Sequence, residues 1–364
     1  MQPLSTPVCE PVSAPAPVRD CPAAFPVNGA KTATMTRIRV AVLAVACLGL
    51  GMLDLLGSTA RAQAWPVRSV KLVVPSSPGG ATDTLSRALS TRLPEIWGQA
   101  VIVENRPGAN QIIGGDYVSK AAPDGYTLLV SDAATFVINP FLYKSLPYDP
   151  IGGFAPVTQL VQVPWVIGVN AAGVAARTIP ELIALAKAKP GSLSWGTFGN
   201  GSSAHIGLEW FKRLAGVDIV HVPYKGSAPA AAALLTGEIS MMMVTPLVLE
   251  QHVRSGRLRL IAAATEHRLP LLPNLPTVGE QGVPGYVVGT WFGMLAPAGT
   301  PAEVVSKIAA DVAKVMNEPA FREQNITGQW LIPVASTPQE FALFLRRDYE
   351  YWKKLVETSG VKLD

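Results

Sequence analysis

The sequence predicts an α/β protein built from sheets and helices in layers. Three observations carry that expectation. Short β-branched runs alternate with helical patterns, and glycine-rich turns stand where strands give way to helices. The segment after residue 64, about 300 residues, is long enough for two domains of ordinary size. Alternation of this kind points to a largely parallel sheet.

The N-terminal region has a different character. Residues 1–34 are rich in Pro, Ala, Ser and Thr with no apolar period, a composition that reads as disorder. Met35 directly precedes a basic stretch, which suggests that translation starts there and that 1–34 is a misassigned extension. Thr36-Arg37-Ile38-Arg39 and the apolar run from Val40 to Leu56 form a secretory signal pattern, and Ala62-Gln63-Ala64 offers the small-x-small cleavage form. Residues 35–64 are therefore expected to be a signal peptide cleaved after Ala64, which sends the protein to the periplasm. An uncleaved anchor fits less well, because Asp54 and the small residues near it shorten the apolar core below the ~20 residues of a span. Cys9, Cys21 and Cys47 all precede the cleavage point, leaving the exported part without a thiol, as suits an oxidising compartment. Lipidation at Cys47 is disfavoured because the apolar run continues past it.

The strands and helices then follow in order. Val70–Val74, Val101–Glu104 and Tyr126–Val130 read as strands. Between the first two, Leu85, Ala88, Leu89, Leu93 and Ile96 recur at helical spacing, with Pro94 expected to kink or shorten that helix. A second group comprises strands at 165–169, 193–195, 219–222, 239–243 and 258–264, with helices at 180–188, 205–215 and 229–235. A Pro-rich stretch from Arg268 to Pro284 leads to apolar segments at 287–288 and 292–295. Three helix starts read as capping boxes, Thr178 with Glu181, Thr300 with Glu303 and Thr337 with Glu340, each worth about 1 kcal/mol. The last helix presents Phe341, Phe344, Leu345, Trp352, Leu355 and Val356 near one face, as a docked C-terminal helix would.

Charge excludes some function classes. The chain has 30 Lys and Arg against 26 Asp and Glu, a formal charge of +4, and five of the basic and three of the acidic residues precede Trp65. The basic clusters at 254–259 and 346–347 lack interleaved aromatic platforms, so no nucleic-acid partner is implied. The four His, at 205, 221, 252 and 267, show no metal-ligand spacing, and neither a metal nor a cofactor is expected.

The chemistry concentrates at the turns. The first strand runs into Pro75-Ser76-Ser77-Pro78-Gly79-Gly80-Ala81-Thr82-Asp83, where a helix starts. Such a turn exposes unpaired N–H groups and the positive end of the helix dipole, which together favour an anion. The arrangement recurs at Trp195-Gly196-Thr197-Phe198-Gly199-Asn200-Gly201-Ser202-Ser203-Ala204-His205, so two turns from two α/β groups are suited to grip one ligand from both sides. A third turn holds Tyr224 and Lys225, the latter able to attract an acidic ligand or simply to be solvated. Neither glycine turn is GxxxxGK[ST], GxGxxG or GxSxG, which leaves nucleotide binding and a nucleophile elbow unsupported. The alternative enzyme hypothesis is a secreted hydrolase using Ser202 or Ser203 with His205.

Taken together, Trp65-Pro66, Pro78-Gly79-Gly80-Ala81-Thr82-Asp83, Glu104-Asn105-Arg106-Pro107-Gly108-Ala109, Asp124-Gly125-Tyr126-Thr127-Leu128-Leu129, Val222-Pro223-Tyr224-Lys225-Gly226, Leu275-Pro276-Thr277 and Ala296-Pro297-Ala298-Gly299-Thr300-Pro301 resemble the Bug family. These are extracytoplasmic receptors similar to the binding subunit (TctC) of tripartite tricarboxylate transporters. The resemblance implies a two-domain, type II-like Venus-flytrap receptor, with residues 65–165 and 286–364 forming domain 1 and 166–285 forming domain 2. It implies a small carboxylate ligand (a di- or tricarboxylate, an amino acid or an aromatic acid) and a permease or sensor partner for a monomeric receptor, with no enzymatic activity. The positions that match the family's ligand loops are Pro78, Gly79 and Gly80 in the first and Thr197, Gly199, Gly201, Ser202 and His205 in the second, with Ser131 and Thr135 in a region that commonly lines the family's cleft; the turn chemistry itself adds Ser76, Ser77, Asp83, Ser203, Tyr224 and Lys225 to the expected site. The sequence departs from the family pattern at Ser76-Ser77, where an aromatic and an apolar residue are common, at Gly153, where an acid is common, and at Asn110, where Gly is common.

Overall fold

The computed structural model describes residues 65–363; the extension 1–34, the signal segment 35–64 and Cys9, Cys21 and Cys47 lie outside the described residues. The chain opens with β1 (Val70–Val74), α1 (Ala81–Trp97), β2 (Val101–Asn105), α2 (Ile112–Ser119), β3 (Thr127–Asp132), α3 (Asn139–Leu142) and β4 (Phe154–Pro164). It continues through β5 (Val166–Asn170), α4 (Ile179–Ala188), β6 (Ser194–Thr197), α5 (Ser203–Ala215), β7 (Val220–Pro223), α6 (Ser227–Thr236), β8 (Met241–Val244), α7 (Pro246–Arg254) and β9 (Leu258–Ala263). It closes with β10 (Gly289–Pro297), α8 (Ala302–Met316), α9 (Pro319–Asn325), β11 (Ile332–Pro333) and α10 (Pro338–Ser359).

These strands form two sheets, ordered β11-β4-β10-β3-β1-β2 and β7-β6-β8-β5-β9. The α/β class therefore holds, but the sheets are mixed rather than largely parallel. In the first, β1 runs parallel to β2 and β3, while β10 runs antiparallel to both β3 and β4. In the second, β6 is parallel to β7 and β8, and β5 is antiparallel to β8 and β9. The antiparallel pairs arise where the chain passes between sheets. One passage follows β4 and the other links β9 to β10, and the two are tied together: Ala264 N–H donates to Trp165 O and Val288 N–H to Ala264 O, each at 2.8 Å.

Helix α1 buries Leu85, Leu89, Leu93 and Trp97, one apolar stripe, against the first sheet. It runs through Pro94 instead of being shortened there, ending at Gly98 with φ +64. Trp97 supplies the reason, since its indole N–H donates to Asp311 at 2.8 Å and its ring meets that of Trp65 edge-on at 5.1 Å. Docking of the last turn outweighs the lost Pro94 hydrogen bond.

The three expected caps differ. Thr337 and Glu340 form the reciprocal box. Thr178 accepts Glu181 N–H at 3.3 Å, but Glu181 reaches one residue further back, to Arg177 N–H at 2.7 Å. Thr300 does not cap at all: it is buried, its hydroxyl donates to Pro297 O at 2.8 Å, and Pro301 takes the N-cap position.

Candidate ligand-binding site

The strand-to-helix turn after β1 is held from beneath. Gly79, with φ +85, donates its N–H to Asp83 Oδ2 at 2.8 Å, and the same oxygen accepts Arg87 Nε at 2.9 Å. Asn105 Nδ2 donates to the other Asp83 oxygen at 2.9 Å and to Ser76 O at 3.1 Å. Burial disfavours the Asp83 carboxylate, yet the bonds from Arg87, Gly79 and Asn105 prevail and hold its pKa below the usual carboxylate value. Asp83 is thus spent on shaping the loop, and Arg87 neutralises it. Above it, Ser77, Pro78, Gly79 and Gly80 are exposed, no side chain caps α1, and the Ser76 hydroxyl is buried without a partner. An anion here meets the N–H groups at the start of α1, which no side chain caps, while the Gly79 N–H is already given to Asp83.

A second segment, between β2 and α2, was absent from the expected site; Asn110 entered only as a departure from the glycine common in the family. Ala109, Asn110 and Gln111 follow one another in the left-handed backbone region, with φ of 46, 48 and 74°. Each such non-glycine residue costs about 1 kcal/mol or more, so side chains must hold the turn. Asn110 and Asn139 do so reciprocally: Asn110 Nδ2 donates to Asn139 Oδ1 at 2.7 Å, and Asn139 Nδ2 donates to Asn110 O at 2.8 Å. Gln111 Oε1 accepts the hydroxyls of Ser131 at 2.6 Å and Thr135 at 3.0 Å, which are themselves 2.7 Å apart. The anticipated pair Ser131 and Thr135 is therefore brought together, within β3 and the single π turn that follows it, by a glutamine that sequence reasoning missed.

The turn after β6 belongs to the second sheet. Ser202 caps α5: its hydroxyl accepts His205 N–H at 3.3 Å and donates to Gly199 O at 2.8 Å. His205 Nδ1 accepts Gly201 N–H at 3.1 Å, which leaves the ring proton on Nε2 in the neutral form. The His205 and His221 rings stack 3.9 Å apart and 10° from parallel, and Thr197 Oγ1 lies 2.7 Å from His221 Nε2. Burial, followed by the proximity of His221 and Lys212, pushes the His205 pKa down to about 4, and burial also lowers that of His221. Two neutral imidazoles therefore back this loop. His221 stood in the sequence as one histidine among four.

The two sheets' loops meet. Asn110 Nδ2 reaches Gly201 O at 3.5 Å, and a Cβ on Gly201 would lie 3.0 Å from Leu142 and 2.4 Å from Leu363. The third turn is joined through its backbone alone, Tyr224 N–H donating to Thr197 O at 2.9 Å. The Tyr224 phenol turns to Glu238 at 2.7 Å, and burial together with that carboxylate pushes its pKa up to about 12. Lys225 is exposed, and Ser203 occupies the first position of α5. Ser202 and His205 do not form a nucleophile and base pair, because the Ser202 hydroxyl donates to a carbonyl and the His205 acceptor nitrogen is taken by a backbone N–H. The hydrolase alternative finds no support.

Residues 85–361 match the family described as the tripartite tricarboxylate transporter family receptor. The chain belongs to that family. It is 35% identical over 304 residues to the protein BugT of Bordetella pertussis, covering 83% of this chain and 92% of the relative. Among solved structures it is similar to an R. palustris protein with adipate, at 34% identity and a TM-score of 0.75, covering 82% of this chain and 99% of the other. It is also similar to MatC from Rhodopseudomonas palustris with bound malate, at 30% identity and a TM-score of 0.71, covering 80% of this chain and all of the other. The chain is thus a solute-binding receptor of the periplasmic-binding-protein fold. Among the described residues no helix is long and apolar enough to cross a membrane.

Proposed function

We propose that this receptor closes two lobes on a small carboxylate and delivers it to a membrane permease or sensor, by binding and without turnover. The lobes are residues 65–165 with 286–364, and residues 166–285. The observation that carries the reading is that each sheet presents a glycine turn opening a helix, α1 and α5, and that Asn110, from the loop between β2 and α2 of the first sheet, reaches Gly201 in the turn of the second. Relatives with adipate and with malate support a carboxylate. In this reading the first loop meets the ligand through the uncapped N–H groups from Gly80 into the first turn of α1 and the Ser76 hydroxyl, with Asp83 holding Gly79 in place beneath them. The second meets it through Thr197, Gly199, Gly201, Ser202 and Ser203, with His205 behind. Charge-assisted hydrogen bonds of about 1.5–3 kcal/mol each, four or five in number, offset carboxylate desolvation and reach the roughly 8 kcal/mol of a micromolar binder. Lys225 adds long-range attraction only, and residues 35–64 serve as the cleaved export signal of a monomeric periplasmic protein.

Thermal-shift screening of the purified protein tests this directly. Adipate, malate, citrate, amino acids and aromatic acids should be compared in excess, where a tight ligand adds a few kcal/mol of stability. At least one acid is expected to raise Tm saturably; no shift with any of them would overturn the proposal.

A further inference from the structure

A cavity of about 250 Å³ lies away from the glycine loops, between the two passages that link the sheets and α10. None of its lining residues belongs to the loops described above. Its walls carry two acids, Asp348 and Glu266, together with the aromatic side chains of Trp291, Tyr351 and Trp352, and no Lys, Arg or His lines it.

The polar groups at this wall include two carboxylates, and two of its donors are already occupied. Asp348 Oδ2 accepts the Trp291 indole N–H at 2.6 Å, and the Tyr351 hydroxyl donates to Val287 O. The Thr290 hydroxyl is buried and without a partner. Acidic groups and aromatic rings in one cavity, with no basic side chain in its walls, suit a cation: carboxylates and hydroxyl oxygen replace its hydration, and ring faces attract it. The volume equals about eight waters at ~30 Å³ each, room for an alkylammonium of a few carbons but far more than a bare metal ion fills.

We propose that this cavity is a second binding site, for a small organic ammonium ion. Its electrostatic preference is opposite to that of the glycine loops. The walls include Pro164, Ala264 and Val288, which lie on or beside the passages between the sheets, so an occupant touches the segments about which the lobes would move. Burial raises the Asp348 pKa to about 7, against the lowering effect of the Trp291 bond. The cavity therefore gains its full charge only above neutrality.

Titration calorimetry of the full chain with n-butylammonium chloride, with 1-butanol as the neutral counterpart, tests the site. Saturable binding of the ammonium alone is expected at pH 8, falling about tenfold or more at pH 6 as Asp348 takes up a proton. D348N is expected to weaken binding by a similar factor and to abolish the pH dependence. E266Q changes an exposed acid on the same wall, serves as the second variant should D348N fail to fold, and is expected to weaken binding several-fold. No saturable ammonium binding at millimolar concentration, equal binding of 1-butanol, or unchanged affinity in a folded D348N or in E266Q would each overturn the proposal.

Discussion

Gly80 and Gly201 both stand in strand-to-helix turns, yet each is glycine for a different reason. Gly80 has φ −74°, and a Cβ there would meet only Ser77 O, at 3.6 Å, an ordinary contact. Its value lies in leaving the helix N-terminus open to approach. Gly80→Val should therefore keep the melting temperature within a degree or two while weakening adipate or malate binding about tenfold or more by calorimetry; unchanged affinity would remove this loop from the site. Gly201 combines φ +74° with a Cβ direction blocked by Leu363, and is needed by the backbone itself. His205 adds a pH effect. Its pKa is depressed to about 4 in the folded protein against the ordinary histidine value of 6.5, so the unfolded chain binds more protons between these values. The associated stability is complete above about pH 6.5 and is lost as pH falls toward 4, an effect of at most about 3 kcal/mol. Melting curves from pH 7 to 4 should decline less steeply for His205→Gln than for the parent; parallel declines would refute the assignment.

At the scale of elements, the caps separate what a pattern implies from what the chain does. Glu340 closes a true box with Thr337, whereas Thr300 is turned inward and Glu303 has no such partner. Urea unfolding should therefore show Glu340→Ala costing several tenths to about 1 kcal/mol and Glu303→Ala distinctly less; equal costs would contradict the shifted N-cap at Pro301. The strands with regular apolar runs, β1, β2, β3 and β5, were legible because half-buried or buried strands repeat a simple pattern. Strand β4 was not. It buries Thr158 and Gln159 beside Val157 and Leu160, and Thr158 donates to Ser336 O, 178 positions away, at 2.7 Å. A buried polar side chain such as Thr158, satisfied by so distant a partner, looks in sequence like part of a loop.

For the molecule as a whole, the glycine turns were readable because Gly79, Gly199 and Gly201 take a positive φ that favours glycine. The connections between them were not, since Asn110 with Asn139, Gln111 with Ser131 and Thr197 with His221 pair across 29, 20 and 24 positions with no periodicity to mark them. Asn110 extends from the first sheet's loops to Gly201 of the second, so it is the residue whose loss should be felt in closure more than in folding. Asn110→Gly keeps the left-handed backbone accessible while deleting the amide bonds. Its melting temperature should fall by a few degrees, because buried Asn139 loses a donor while glycine relieves the strain of φ +48, while ligand affinity falls several-fold and X-ray scattering of the ligand-free protein shows a larger radius of gyration; an unchanged affinity and radius would deny the link. The far end of the chain takes part in the same junction, for Leu363 donates its N–H to Leu142 O at 2.9 Å and lies against Gly201. No cysteine occurs after residue 64. A Lys362→Cys protein beginning at Trp65 would thus accept one dye beside the second loop and report optically on what happens there, whereas a bulky purification handle at that end would crowd the same loop.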